Sequence, residues 1–376
     1  MRITSAWTTL AGRLFGSASI LGKTVRRLSA AKGYSLEMDH ITETGEYNCE
    51  EVMWDVGGIE VYGTLTCPTG TRQRPAVVFV AGSGPTDRDW CTPLLPGANC
   101  SGRLLARALS ERGYVTLRYD KRAAGPHVSE NLPRLVGKMS MQGHVDELAG
   151  AVTKLSLVAN VNPSRLFALT SSEGAIHALH YQLQTPRHRF RGLVLTGAPG
   201  RPVGLVARDQ LAAQAEPLPN GGELMKRYDA CIESFVAGKP MVPDPSLPEG
   251  VRDLLRSLET PVNLPFAREL WLEDPAVLIA RVSDPILIVI GKKDIQVDWR
   301  RDGGALEAAT KGNDNARTAY PQNADHVLKH EPRPHKALTA VEVSARYNAE
   351  GRDLDPKTLS VITEWLIEHS ESDERV

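Results

Sequence analysis

The sequence lacks any apolar run long enough to cross a bilayer, which sets aside a chain threaded through a membrane. It also lacks a charge imbalance: 44 Lys and Arg stand against 45 Asp and Glu, a formal net charge of −1. No global field therefore draws it to nucleic acid or to anionic lipid. Cysteine is scarce. Cys49, Cys67, Cys91, Cys100 and Cys231 are odd in number, without CxxC spacing, and scattered over dissimilar segments. That pattern argues against a disulfide framework or a zinc site and for reduced thiols in a cytoplasm. Acid is missing from the first 36 residues, where Leu10, Leu14, Leu21, Val25 and Leu28 recur at helical spacing among Arg13, Lys23, Arg26 and Arg27. An organellar targeting peptide or a membrane-surface helix has this character. The expectation adopted is an accessory helix or arm over residues 1–40, outside the domain that follows.

What is present is an ordinary globular composition, 41% hydrophobic and 24% charged over 376 residues, enough for one large core with an insertion. Val52–Val56 and Ile59–Leu65 alternate about Gly57-Gly58 and read as an antiparallel hairpin. Ala76–Val80 is a continuous apolar run, the mark of a strand covered on both faces, and it enters a loop holding Gly82 and Gly84. Helical patterns at Ser101–Arg112 and Val145–Ala159 then alternate with strands at Val115–Tyr119, Arg165–Leu169 and Gly192–Thr196. This rhythm predicts a mostly parallel sheet with helices on both faces. It breaks over residues 201–280, where four helical patches are joined by Pro-rich links, and resumes at Pro285–Ile290. The expected organisation is a core of residues 41–200, a helical cap of residues 201–280 after the sixth strand, and a second core part of residues 281–376.

One stretch organises the rest. Arg165–Leu169 reads as a buried strand, and Ala175–Ala178 as the start of a helix, with Ser172 at the apex between them and Gly174 two residues on. Strand and helix nearly touch at such a turn, so small residues must flank it. Ser171 is the rival apex but has no glycine two positions later. The plain alternative is a Ser-rich helix N-cap. A serine hydroxyl needs a base, and the base needs a carboxylate to fix its tautomer. Loops at the carboxyl ends of strands supply both. Asp294 follows the Pro285–Ile290 strand, with Asp298 as rival, and His326 follows the last strand, with His330 as rival; Asp284 precedes its strand and lies at the wrong end. The backbone N–H groups of Ser83 and Glu173 are the expected oxyanion donors.

The elbow, the Gly82–Asp89 loop, Arg118–Arg122 and Ala324–Lys329 resemble the α/β-hydrolase superfamily, in its serine-aminopeptidase-type and dienelactone-hydrolase-related branch. The resemblance spans about residues 50–370. Thr170 stands where the family has glycine, Ala81 where it more often has histidine, and Ala123 where a glycine is usual. The resemblance implies an α/β-hydrolase fold and a Ser172, Asp294, His326 triad with no cofactor and no metal. It implies a small-molecule acyl substrate, no nucleic acid and no stable membrane insertion. The expected reaction is carboxylic ester hydrolysis. An amidase, peptidase or thioesterase using the same triad, or a non-catalytic binding protein on this scaffold, is the alternative. Arg88, Asp89, Tyr119, Asp120, Lys121 and Arg122 read as an ion-pair network under the oxyanion loop rather than as a substrate clamp. Trp271 and Phe266 read as core of the cap rather than as lining of an acyl pocket.

Overall fold

The computed structural model describes residues 47–371, so the N-terminal arm expected over residues 1–40 lies outside the described residues. The strands are β1 (Tyr47–Val56), β2 (Ile59–Pro68), β3 (Arg74–Val80), β4 (Val115–Tyr119), β5 (Val161–Ser171), β6 (Gly192–Thr196), β7 (Ile286–Val289) and β8 (Ala316–Ala319). Between β3 and β4 runs α1 (Ser101–Ser110), and α2 (Val128–Leu135) and α3 (Met141–Ser156) follow β4. After β5 comes α4 (Gly174–Leu183). The stretch between β6 and β7 holds α5 (Val203–Ala215), α6 (Gly221–Val236), α7 (Glu249–Leu258), α8 (Phe266–Leu272) and α9 (Pro275–Ile279). The chain closes with α10 (Arg301–Ala309), α11 (Ala340–Ser344) and α12 (Pro356–Glu371).

All eight strands form one sheet in the order β1-β2-β4-β3-β5-β6-β7-β8. The β1–β2 hairpin turns at Gly57 and Gly58, both at positive φ, and pairs antiparallel to β4; β4 to β8 run parallel. Because side chains alternate across a strand, the apolar run of β3 serves two cores at once. Val78 and Val80 join Leu148, Val152 and Ile176 on the α3 and α4 face. Val77 and Phe79 join Leu105, Leu109, Ile362 and Trp365 on the α1 and α12 face. The strand order reverses at β3, with β4 on one side and β5 on the other, so the loops leaving β3 and β5 open a crevice at their carboxyl ends. Between β6 and β7 the described residues form five helices and no strand; four coincide with the expected helical patches, and α9 is additional.

The cysteines require a correction. Cys91 and Cys100 form a disulfide with Cα atoms 5.4 Å apart, while Cys49, Cys67 and Cys231 are free. The loop between β3 and α1 doubles back to join two cysteines nine positions apart, a contact that spacing alone does not signal. The cytoplasmic location rested on reduced thiols, and this bond removes that support. No helix among the described residues is long and apolar enough to cross a membrane.

Candidate active site

The β5–α4 junction is as tight as its sequence demands. Ser172 has φ +51°, the left-handed region that a non-glycine residue enters at a cost of about 1–3 kcal/mol, whereas Ser171 ends β5. The backbone is held there by the Ser172 N–H, which donates to the Thr196 carbonyl at 2.8 Å. A Cβ on Gly174 would stand 2.4 Å from the Val80 carbonyl oxygen, so only glycine lets α4 start against β3. Thr170 is buried in the ladder, and its hydroxyl donates to the Val194 carbonyl at 3.3 Å. Its extra bulk is thus taken up against β6 with its polar atom satisfied.

Two further loops reach the same crevice. Asp294 is buried after β7, and one carboxylate oxygen accepts the N–H groups of Gln296 and Val297 at 2.8 and 2.9 Å. The other oxygen lies 2.8 Å from Nδ1 of His326, which leaves Nε2 of that ring for a second partner. Asp298 instead accepts from the N–H groups of Arg300 and Arg301 at the start of α10, and His330 pairs with Asp355 at 3.2 Å. Asp284, at the opposite end of β7, pairs with Arg189 at 2.7 Å. Of the rival residues, none joins the His326–Asp294 pair.

Ser172, His326, Ser83 and Glu173 line one cavity of about 110 Å³, with Trp90, Val203, Val206, Val297 and Tyr347 among its apolar walls. The Ser172 hydroxyl has no hydrogen-bond partner among the described residues, His326 included. Catalytic hydrogen bonds are often long in an enzyme without substrate. The backbone N–H groups of Ser83 and Glu173 are likewise unpartnered among the described residues. The loop bearing Ser83 lies hard against the elbow: a Cβ on Gly82 would be 3.3 Å from the Cβ of Ser172.

Solved structures share the overall fold. The structure of 2,6-dihydroxy-pseudo-oxynicotine hydrolase superposes with TM-score 0.52 at 13% identity, over 87% of this chain and 70% of that one. The chain has the α/β-hydrolase fold. A second structure, proline iminopeptidase from Mycobacterium smegmatis, superposes with TM-score 0.50 at 16% identity, over 86% of this chain and 99% of that one. By sequence, the chain is 26% identical over 317 residues to esterase EstD of Thermotoga maritima. That match takes in 81% of the chain but 65% of the esterase, so the chain spans about two thirds of the relative's length. No protein-family model matches the chain.

Beneath the candidate site lies a buried ionic layer. Asp120 accepts from the Arg88 guanidinium at 2.6 and 2.8 Å, and Asp89 pairs with Arg118. Lys121 reaches the Gly82 carbonyl and the Glu173 carboxylate, while Arg122 pairs with Glu147. Burial alone would raise the Glu173 carboxyl, but Lys121 and His177 hold it well below the usual carboxylate range. Burial pushes His177 down to about 4. These contacts form an ion-pair network under the Gly82–Asp89 loop. Phe266 packs on His144 and His177, and Trp271 on Phe235; neither lines the cavity. Residues that hold the histidine loop had a weaker sequence signal. Asp325 accepts from Lys329 N–H and Arg352, and the Lys329 ammonium donates to the Tyr347 carbonyl at 3.0 Å. Asp325 and Lys329 lie in the Ala324–Lys329 motif, whereas Arg352 and Tyr347 carry no sequence signal of this role.

Proposed function

We propose that this protein is a serine hydrolase cleaving carboxylic esters through an acyl-enzyme. Its proposed nucleophile is Ser172. His326 takes the hydroxyl proton as the serine oxygen attacks the acyl carbonyl, then gives that proton to the departing alcohol. Asp294 holds His326 in the tautomer that leaves Nε2 free to accept. The N–H groups of Ser83 and Glu173 stabilise the oxyanion. Water, deprotonated by His326, then attacks the acyl-enzyme and releases the acid and Ser172. The observation that carries the reading is one wall of the cavity, where a left-handed serine stands beside two unpartnered N–H groups and a histidine tied to a buried aspartate.

Two features favour an ester. The 26% identical relative is an esterase. Among the described residues, the cavity lining offers no Lys, Arg or Asp; its single carboxylate, on Glu173, is already engaged by Lys121 and His177. Such a lining suits an uncharged acyl substrate and gives no anchor for a free amino or carboxyl terminus. Residues 201–280 are proposed as a cap, since α5 contributes Val203, Val206, Ala207 and Gln210 to the wall. The amidase, peptidase and thioesterase readings share the same machinery and differ in the leaving group.

The test is a panel of p-nitrophenyl acyl esters, acyl thioesters and aminoacyl arylamides, run on wild type and Ser172→Ala. Ester hydrolysis in wild type and its loss by about 10⁶-fold in kcat in the variant is the expected result. Arylamide turnover exceeding ester turnover overturns the ester preference, and an active Ser172→Ala overturns the site.

A further inference from the structure

Lys121 follows β4, outside the cavity, and is 5% exposed. Its ammonium donates to the Gly82 carbonyl at 2.5 Å and lies 3.4 Å from Oε1 of Glu173. These two acceptors belong to the two loops that carry the proposed oxyanion donors. In a trans peptide the carbonyl of one residue and the N–H of the next point in opposite directions. Fixing the Gly82 oxygen toward Lys121 therefore turns the Ser83 N–H away from it, on the side of the cavity that Ser83 lines. The Glu173 side chain is held from the same ammonium, and its backbone N–H opens the helix after Ser172. Glycine at 82 leaves this peptide no side chain of its own to set its orientation, so an outside anchor is needed.

We propose that Lys121 is a positioning residue that sets both oxyanion donors, clamping the Gly82–Ser83 peptide and Glu173 to one buried charge. This rests on the serine-hydrolase reading above. Lys121 touches no reacting atom. Its contribution is to hold two N–H groups in place before charge develops, where donors are worth most. A lysine that only filled space or balanced Glu173 would leave the chemical step untouched once the fold was intact.

The experiment compares Lys121→Met with the double variant Lys121→Met/Glu173→Gln, which removes the stranded carboxylate and keeps the fold testable if the single variant does not survive. Circular dichroism selects folded protein. Hydrolysis of p-nitrophenyl butyrate and inhibition by 1,1,1-trifluorobutan-2-one, whose hemiketal with Ser172 carries the oxyanion, are then measured. The proposal expects kcat to fall by about 10²–10³-fold with KM within about three-fold, and the inhibition constant to rise in step. A folded double variant with wild-type kcat, or one that loses turnover while binding the ketone as wild type does, overturns it. Ser172→Ala is run alongside. If that variant stays active the hydrolase reading falls and Lys121's role with it; if it is dead while the Lys121 variants keep full kcat, Lys121's role alone is refuted.

Discussion

Two aspartates bracket β7, and they live in different surroundings. Asp284, before the strand, meets the exposed Arg189 at the amino end of the sheet, beside a second cavity lined by Arg187, His188 and His369. Asp294, after the strand, is buried, accepts two backbone N–H groups and grips His326. Both ends of the sheet are concave and both hold histidine, arginine or carboxylate. Only the carboxyl end combines a left-handed serine, unpartnered N–H groups and a desolvated His–Asp pair. A cavity is therefore a weak guide by itself, and the backbone around it carries the assignment.

Exchanging each aspartate for asparagine sharpens that contrast most. Asp294→Asn should lower kcat for p-nitrophenyl butyrate by about 10⁴-fold, because the amide no longer enforces the working tautomer of His326. Asp284→Asn should leave kcat within about two-fold, since an exposed pair contributes little. Equal losses from the two would erase the distinction between the ends.

The ionic layer under the carboxyl end makes a prediction about pH. His177 is pushed down to about 4 by burial, so between that value and its ordinary one near 6.5 the unfolded chain binds the extra proton. Its contribution to stability is then lost as pH falls, by an amount on the order of 3 kcal/mol across the whole window. Asp87 works the other way. Burial, with Asp89 and Asp120 nearby, raises it to about 7, so the folded chain holds the proton and stability from this group falls as pH rises. Melting temperatures measured from pH 4.5 to 6.5 should show less acid loss in His177→Gln than in wild type, and more in Asp87→Asn. Curves parallel to wild type would mean that neither group is perturbed.

The disulfide tests a smaller contribution on the rim. Cys91 and Cys100 close a loop that supplies Thr92 to the cavity and directly follows Trp90. Replacing both by serine should lower stability by about 2–3 kcal/mol, from the entropy returned to a short loop in the unfolded chain. Denaturant titration checks this, and an unchanged midpoint would show that the loop is held by its other contacts. Asn99 and Asn348 supply several of those, including Asn348 Nδ2 to the Thr92 carbonyl at 2.9 Å.

Much of this was legible before any coordinates. The apolar runs at Ala76–Val80 and Gly192–Thr196 are strands because only a doubly covered strand tolerates unbroken hydrophobicity. Ser172, Asp294 and His326 are legible as candidates from their places after strands, and they remain the proposed triad. The structure gives Ser172, and not Ser171, a positive φ, and it pairs Asp294 with His326. The Cys91–Cys100 bond is not legible in the sequence, because pairing depends on how an irregular loop closes and not on a periodic pattern. Helix α2 is not legible in the sequence, because Pro133 within it interrupts the helical pattern. The reach of Lys121 to Gly82 was equally hidden, since it links residues 39 positions apart.

The most direct measurement is peptide mapping of the protein after reaction with a fluorophosphonate. The account predicts one adduct, on Ser172, formed in wild type, absent in Ser172→Ala and much slowed in Asp294→Asn. An adduct on Ser171 or another serine, or undiminished labelling of Ser172→Ala, would contradict it.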